Sequence, residues 1–137
     1  MAEKKYVLKY KDFKAASSNP FSLQYYKLIG DKVEKLDLED DMNEVYMSKR
    51  LFNTELNIYN LSANISTVFL PIPTERNIDN PVVFETMVFS DIEDLNCKYS
   101  KRATSLKNAL SDHYDITSVV YGYLKKHGQN KEEKCNQ

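Results

Sequence analysis

The amino-acid sequence predicts a single α+β domain, in which an antiparallel sheet of about four to six strands carries a C-terminal helix or helix pair on one face. Short segments with alternating apolar and polar residues fill the first part of the chain, whereas apolar residues recur with the α-helical period from Ser100 onwards. The length of 137 residues suits one hydrophobic core. We therefore expect residues 1–128 to form the domain and residues 129–137 to form a flexible polar tail.

The first predicted elements are a strand and a β-hairpin. Residues 6–13 alternate between apolar and polar side chains, as a half-buried strand does. Residues 23–29 and 32–38 flank Gly30-Asp31, and glycine readily adopts the positive φ that a two-residue hairpin turn needs. Tyr25 and Tyr26 are adjacent, so on a strand their side chains point to opposite faces.

An acidic segment follows the hairpin. It contains no basic residue and five carboxylates, namely Asp37, Glu39, Asp40, Asp41 and Glu44. We interpret the segment as a solvated turn that leads into a short helix over residues 41–49, because carboxylates suit the positive N-terminal end of a helix. A calcium loop would need spaced ligands around a glycine, which is absent here. A patch that docks a partner is the alternative interpretation.

Three further strands are predicted at residues 50–59, 63–72 and 82–89. The second and third are apolar on both faces, so we expect them to be neighbouring central strands. Glu85 is the exception on the third strand, because a carboxylate placed among apolar residues needs a partner. We expect the C-terminal helix or the adjacent strand to supply that partner.

The C-terminal segment predicts a helix over residues 100–127, with a break near Asp115 as an alternative. Ser100 is a suitable N-cap, and Gly128 is a suitable stop. One face of this helix is apolar apart from a histidine and contains Ala103, Leu106, Ala109, Leu110, His113, Ile116, Val119, Val120, Tyr123 and Leu124.

Glu85 and His113 are the candidate catalytic residues. A strand carboxylate that accepts a hydrogen bond from a helix histidine can orient it as a base, with Tyr99 as a further candidate. The competing interpretation gives Glu85 a structural partner and packs His113 as a half-buried ring. We favour the structural interpretation, because no nucleophile motif accompanies the pair. Cys97 is interpreted as a small buried residue between strand and helix.

Composition excludes several classes of function. The formal charge of -1 leaves no field for nucleic acid, so direct nucleic-acid binding is not expected. The three glycines are too far apart for a glycine-rich phosphate loop. The two cysteines do not form a metal-binding pair, and we expect neither metal nor cofactor. No segment is apolar enough for a membrane helix, and the N-terminus lacks a secretory signal.

Two strand motifs carry a family resemblance. The run Asn64-Ile-Ser-Thr-Val-Phe-Leu and the run Pro81-Val-Val-Phe-Glu-Thr-Met-Val-Phe resemble paired motifs of a small-protein family of bacteriophages and prophages. Lys98-Tyr99-Ser100 and the segment ending at His113 look like its downstream positions. The chain departs from the family at residues 71–73, where Pro-Ile-Pro replaces a glycine and a histidine. The resemblance implies phage origin, and it implies no settled biochemical activity.

From the resemblance we expect a phage-encoded, non-enzymatic accessory protein that binds and inhibits a host protein or defence complex in the bacterial cytoplasm. The expected docking surface combines Tyr25 and Tyr26 with the acidic segment, because tyrosine is enriched at recognition surfaces. Three alternatives stay open: sequestration of a small signalling nucleotide, a minor role in the virion or its assembly, and an enzyme that uses Glu85 and His113. The sequence also leaves a homo-oligomer open.

Overall fold

A computed structural model describes residues 9–12, 24–42, 49–73 and 80–135, with side chains described as far as residue 128. Within these ranges the chain forms six β-strands and one long α-helix. The strands are β1 (Tyr26–Ile29), β2 (Lys32–Lys35), β3 (Lys49–Ile58), β4 (Leu61–Phe69), β5 (Phe84–Ser90) and β6 (Ser100–Ala103), and the helix is α1 (Leu106–Cys135).

The strands form two antiparallel sheets, a two-stranded sheet of β1 and β2 and a four-stranded sheet in the order β3-β4-β5-β6. Helix α1 packs against one face of the larger sheet. The chain is therefore a single α+β domain, as the sequence predicts. The inner positions of β4 and β5 confirm the prediction that the two most apolar strands are neighbours and avoid the edges.

Two tight turns fix the registers of the hairpins. Gly30 has a φ of 61° between β1 and β2, which confirms the predicted hairpin. Tyr59 and Asn60 join β3 to β4 and have φ values of 51° and 66°. Positive φ at both central residues is the pattern of a type I′ turn, whose twist matches that of the flanking strands.

The core lies between α1 and the four-stranded sheet. Ile116, Val120 and Leu124 of the helix pack against Ile65 of β4 and Val88 of β5. A second cluster joins Tyr26 of the hairpin to the other end of the same layer, where it contains Phe69, Val83, Phe84, Ala103 and Ala109. The predicted helix face is mostly buried, but Leu110 and Val119 are exposed because they lie at its margins.

The beginning of the helix differs from the prediction. Residues 100–103 form the edge strand β6 opposite β5, so Ser100 is not the N-cap. Ser105 has that role instead, because its Oγ accepts a hydrogen bond from the backbone nitrogen of Asn108 at 3.2 Å. The helix continues without a break past Asp115.

The helix also continues past Gly128, where a stop was predicted. Gly128 is buried against the Tyr59 ring, and a β-carbon at this position would collide with that ring. The glycine therefore permits a close approach between the helix and the β3-β4 turn. Residues 129–135 of the predicted tail are helical, and residues 136–137 lie outside the described residues.

Two predictions near the N-terminus fall partly outside the described residues. Of the strand predicted at 6–13, Lys9 forms an isolated bridge with Asp41, and residues 10–12 form a helical turn instead of a strand. Of the helix predicted at 41–49, residues 43–48 lie outside the described ranges, and Lys49 already belongs to β3. Tyr10, Leu36 and Met42 form a third buried cluster, with Tyr25 packed against it.

Candidate functional site

The two candidate catalytic residues lie on opposite faces of the four-stranded sheet. Thr86 of β5 faces α1, where its hydroxyl contacts Thr67, which in turn contacts His113. Glu85 is the neighbour of Thr86 in the same strand, so its side chain points away from the helix. The carboxylate therefore does not orient the histidine, and the catalytic pair considered from the sequence does not form.

His113 lies in a buried chain of hydroxyl groups. Its Nδ1 is 2.8 Å from Thr67 Oγ1, and its Nε2 is 2.8 Å from Thr54 Oγ1. Thr67 Oγ1 is also 2.7 Å from Thr86 Oγ1, and the Phe52 ring contacts the imidazole edge to face. The network joins β3, β4 and β5 to the helix and gives each ring nitrogen a partner.

This environment favours the neutral imidazole. Only 4% of His113 is exposed, and burial lowers the pKa of its ring below the ordinary value of 6.5. A catalytic base would need an orienting acid and a route to substrate. Hydroxyl groups occupy both nitrogens instead, so the network fits the structural interpretation, with a ring more deeply buried than predicted.

Glu85 has the partner that the sequence predicts. Arg102 lies directly opposite it on the adjacent strand β6, and Arg102 Nε donates to Glu85 Oε2 at 3.1 Å. The Glu85 side chain is 22% exposed and that of Arg102 is 55% exposed. The pair therefore lies at the solvent side of the sheet, with the adjacent strand rather than the helix as the source of the cation.

The predicted docking surface is only partly available. Tyr26 is 4% exposed and belongs to the core, so little of its side chain is available to a partner. Tyr25 is half-buried and stacks on Tyr10, with ring centroids 5.7 Å apart. Both faces of β1 are covered at this point, which explains why neither adjacent tyrosine faces outward. Among the tyrosines that the structure describes, Tyr114 and Tyr121 of the helix are the most exposed.

Lysines from other segments offset the negative charge of the acidic segment, although the segment itself contains no lysine. Lys27 contacts both Asp37 and Asp40, at 3.4 Å and 3.0 Å. Lys9 and Lys11 contact Glu39 at 2.7 Å and 3.0 Å. Hydrogen bonds from Lys9 and Lys11 lower the pKa of Glu39.

Opposing effects act on the pKa of Asp40 in this turn. Burial raises its pKa, but the hydrogen bonds from Lys27 and from the Asp37 backbone nitrogen lower that pKa by more. The backbone of Asp41 forms the isolated β-bridge with Lys9, and Glu44 lies outside the described residues. The predicted patch is thus a mixed ionic cluster, which weakens its case as a purely acidic docking surface.

The sequence interpretation did not identify a pocket on the open face of the larger sheet, the face turned away from α1. Glu55, Asn64 and Phe89 lie in one row across β3, β4 and β5. They line an open pocket of about 320 Å³, which we call the open-face pocket, together with Ser62, Ala63, Ser90, Asp91 and Asn96. Asn64 Oδ1 is buried there and has no hydrogen-bond partner.

The loop after β5 holds one side of this pocket in place. Asn96 Oδ1 accepts a hydrogen bond from the Ser90 backbone nitrogen at 3.0 Å, and Ser90 Oγ donates to the Ser62 carbonyl at 2.7 Å. Leu95 anchors the loop in the core. Cys97 then has a φ of 61° and is exposed, so the expectation that it is buried is wrong.

Two observations bear on other classes of site. Among the residues that the structure describes, no three His, Cys, Asp or Glu side chains come together as metal ligands. No described helix combines the length and apolar character that crossing a bilayer requires.

Comparison with known proteins adds no family. No protein-family model, curated protein or solved structure matches the chain. The resemblance to a phage family stays a prediction.

One sequence signal could have indicated the open-face pocket. Polar residues alternate along β3 and β4, where Asn53, Glu55 and Asn57 face the same side as Ser62 and Asn64. Such a stripe predicts a polar face opposite the core. The row itself depends on the register of three strands, which the stripe does not specify.

Proposed function

We propose that the protein is a phage-encoded accessory protein that acts by binding a host macromolecule, with inhibition of a defence protein in the bacterial cytoplasm as its role. The observation that carries the binding function is the open-face pocket. It combines a buried, unpartnered acceptor at Asn64 with carboxylates at Glu55 and Asp91 that have no ion pair within the described residues. A buried acceptor without a partner, next to a concave site lined by exposed carboxylates, favours ligand recognition.

The arrangement of the catalytic candidates supports binding over catalysis. Glu85 and His113 lie on opposite faces, and each is engaged by a structural partner. No step of general acid-base chemistry connects them. The phage origin and the inhibitory role come from the family resemblance, and the pocket bears on neither.

The test is affinity purification of the tagged protein from infected cells, followed by mass spectrometry of co-eluting proteins and small molecules. We expect one host protein in stoichiometric amount, whose activity falls when the purified protein is added. The double variant Glu55→Gln/Asp91→Asn should lose that protein. The control variant Glu93→Gln removes one exposed carboxylate outside the pocket and should retain the host protein.

Other outcomes contradict the proposal. Release of a bound nucleotide would support the sequestration alternative, and co-elution of capsid or tail proteins would support a virion role. Recovery of the protein alone and without ligand would remove the support for binding, and turnover assays on Glu85 and His113 variants would then follow.

A further inference from the structure

The open-face pocket is unusual in the charge of its lining. Glu55 and Asp91 supply two carboxylates, and none of the described residues that line the pocket is a lysine, arginine or histidine. Elsewhere in the described chain the carboxylates of Asp37, Glu39 and Asp40 all contact lysines. The pocket therefore repels phosphates and other anions, and its charge complements a cation.

The neutral groups of the lining also favour a hydrogen-bond donor. Asn64 Oδ1 is a buried acceptor without a donor, and leaving such a group unpaired is unfavourable. Asn64 lines the open-face pocket, and a ligand donor that pairs with this oxygen would remove the penalty. Asn64 lies between Glu55 and Phe89 in the row of directly opposed residues, so the donor would enter between them.

Phe89 supplies the third feature. Its side chain is 45% exposed at one end of the row, which is a large exposed fraction for a phenylalanine. Neighbouring strands lie about 4.8 Å apart, so the backbones of Glu55 and Phe89 are separated by roughly 10 Å. A flat cation fits such a slot, with its face on the ring and its N–H groups directed to the carboxylate and the amide oxygen.

We propose that the open-face pocket binds the guanidinium group of an arginine side chain on the partner protein. Arginine suits the pocket better than lysine, because guanidinium is planar, stacks on aromatic rings and donates several hydrogen bonds in one plane. This inference rests on the proposed binding function and names the chemical group that the pocket recognises. A second pocket of about 360 Å³ beside the hairpin lacks this preference for cations, because its lining contains both Lys35 and Asp31.

Titration with small probes, followed by amide and side-chain NMR of the full chain, tests the site. The probes are N-acetyl-arginine amide and N-acetyl-citrulline amide, which have nearly the same shape but differ in charge. We expect the arginine probe to shift the resonances of Asn64, Phe89 and Asn96 at millimolar concentration, as suits a small ligand. The citrulline probe should bind at least tenfold more weakly. Added salt should weaken the binding of the arginine probe but not that of the citrulline probe.

Variants locate the binding. Glu55→Gln/Asp91→Asn should abolish the shifts, whereas the control Glu93→Gln should leave them unchanged. The carboxylates of Glu55 and Asp91 have no ion pair in the described chain, so the double variant should fold normally, and its amide spectrum provides the check. Equal binding of the two probes, shifts outside the pocket, or no shift would each overturn the guanidinium site.

The source of the arginine is tested separately. A peptide with the partner's contacting arginine should bind more tightly than the capped amino acid, and its citrulline version should not. If a host partner co-purifies equally with the wild type and the Glu55→Gln/Asp91→Asn variant, the arginine site is wrong and the binding function stands. If the probe binds but no partner is found, the guanidinium site stands and a partner protein as the source of the arginine is overturned.

Discussion

On the helix-facing side of the four-stranded sheet, both ring nitrogens of His113 have hydroxyl partners, whereas on the open side the amide oxygen of Asn64 has none. The two sites share one strand, because Asn64 and Thr67, a hydrogen-bond partner of His113, both lie on β4. Strand alternation sends Thr67 towards the helix and Asn64 to the opposite face. One strand thus contributes to a closed polar network and to an open pocket.

The paired network around His113 contributes to stability, whereas the unpaired acceptor at Asn64 does not. A buried polar network contributes to stability only when its members are all paired, which holds around His113. An unpaired buried acceptor lowers stability, so its presence at Asn64 calls for another explanation. The ligand proposed for the open-face pocket would supply the missing donor.

The largest expected effect is on the helix-facing side. His113→Ala should lower the free energy of unfolding by about 3 kcal/mol, because it leaves a cavity and removes the partners of Thr54 and Thr67. Urea denaturation measures the change. Tyr114→Ala, at the next helix position and 65% exposed, is the matched control and should change the value by less than about 0.5 kcal/mol. Similar losses in both variants would refute the structural role of the network.

The same residue should make stability depend on pH. Burial lowers the pKa of His113 in the folded state below the ordinary 6.5, so the unfolded chain binds the proton more readily. The stabilisation is then complete above pH 6.5 and is lost as the pH falls towards the folded pKa. The urea midpoint of unfolding should be lower at about pH 5.5 than at about pH 7.5. The His113→Ala variant should show a smaller decrease between these two pH values. An equal decrease in the variant and the wild type would contradict the assignment of this pH dependence to His113.

Local patterns predicted the hairpin, the central strands and the helix face. Gly30 identified the first turn, and the Glu85 partner followed from the cost of an unpaired carboxylate. The start of the helix was misplaced because Ala103, Leu106 and Ala109 fit a helical period. Ala103 is buried from β6, however, because pairing with β5 outweighs local periodicity there.

The site itself could not be read from local pattern. His113 meets Thr54 and Thr67 across 59 and 46 residues of sequence, and only the registers of β3 and β4 bring these hydroxyls together. The lysines that offset the acidic segment likewise come from distant segments. Non-local pairing of this kind depends on the tertiary fold, which alternation and charge counts do not specify.

A change of opposite sign is expected on the open side. Asn64→Val should raise the free energy of unfolding by about 0.5–1 kcal/mol, because it removes the unpaired acceptor and valine suits a strand. Asn53→Val, on the same face of β3, is the control for strand propensity and should give a smaller gain. Thermal or urea unfolding provides the comparison. A loss of stability in Asn64→Val would mean that the amide has a structural partner.

The smallest expected effect concerns Glu85. Glu85→Gln should lower the free energy of unfolding by about 0.5 kcal/mol, because Arg102 is largely exposed and glutamine can still accept its hydrogen bond. Urea denaturation at low and high salt measures it, and high salt should reduce the difference. The double variant Glu85→Gln/His113→Ala should then show additive losses within about 0.5 kcal/mol, since the two residues share no partner and lie on opposite faces. A larger coupling energy would show that the two faces of the sheet are linked, and it would reopen a joint role for Glu85 and His113.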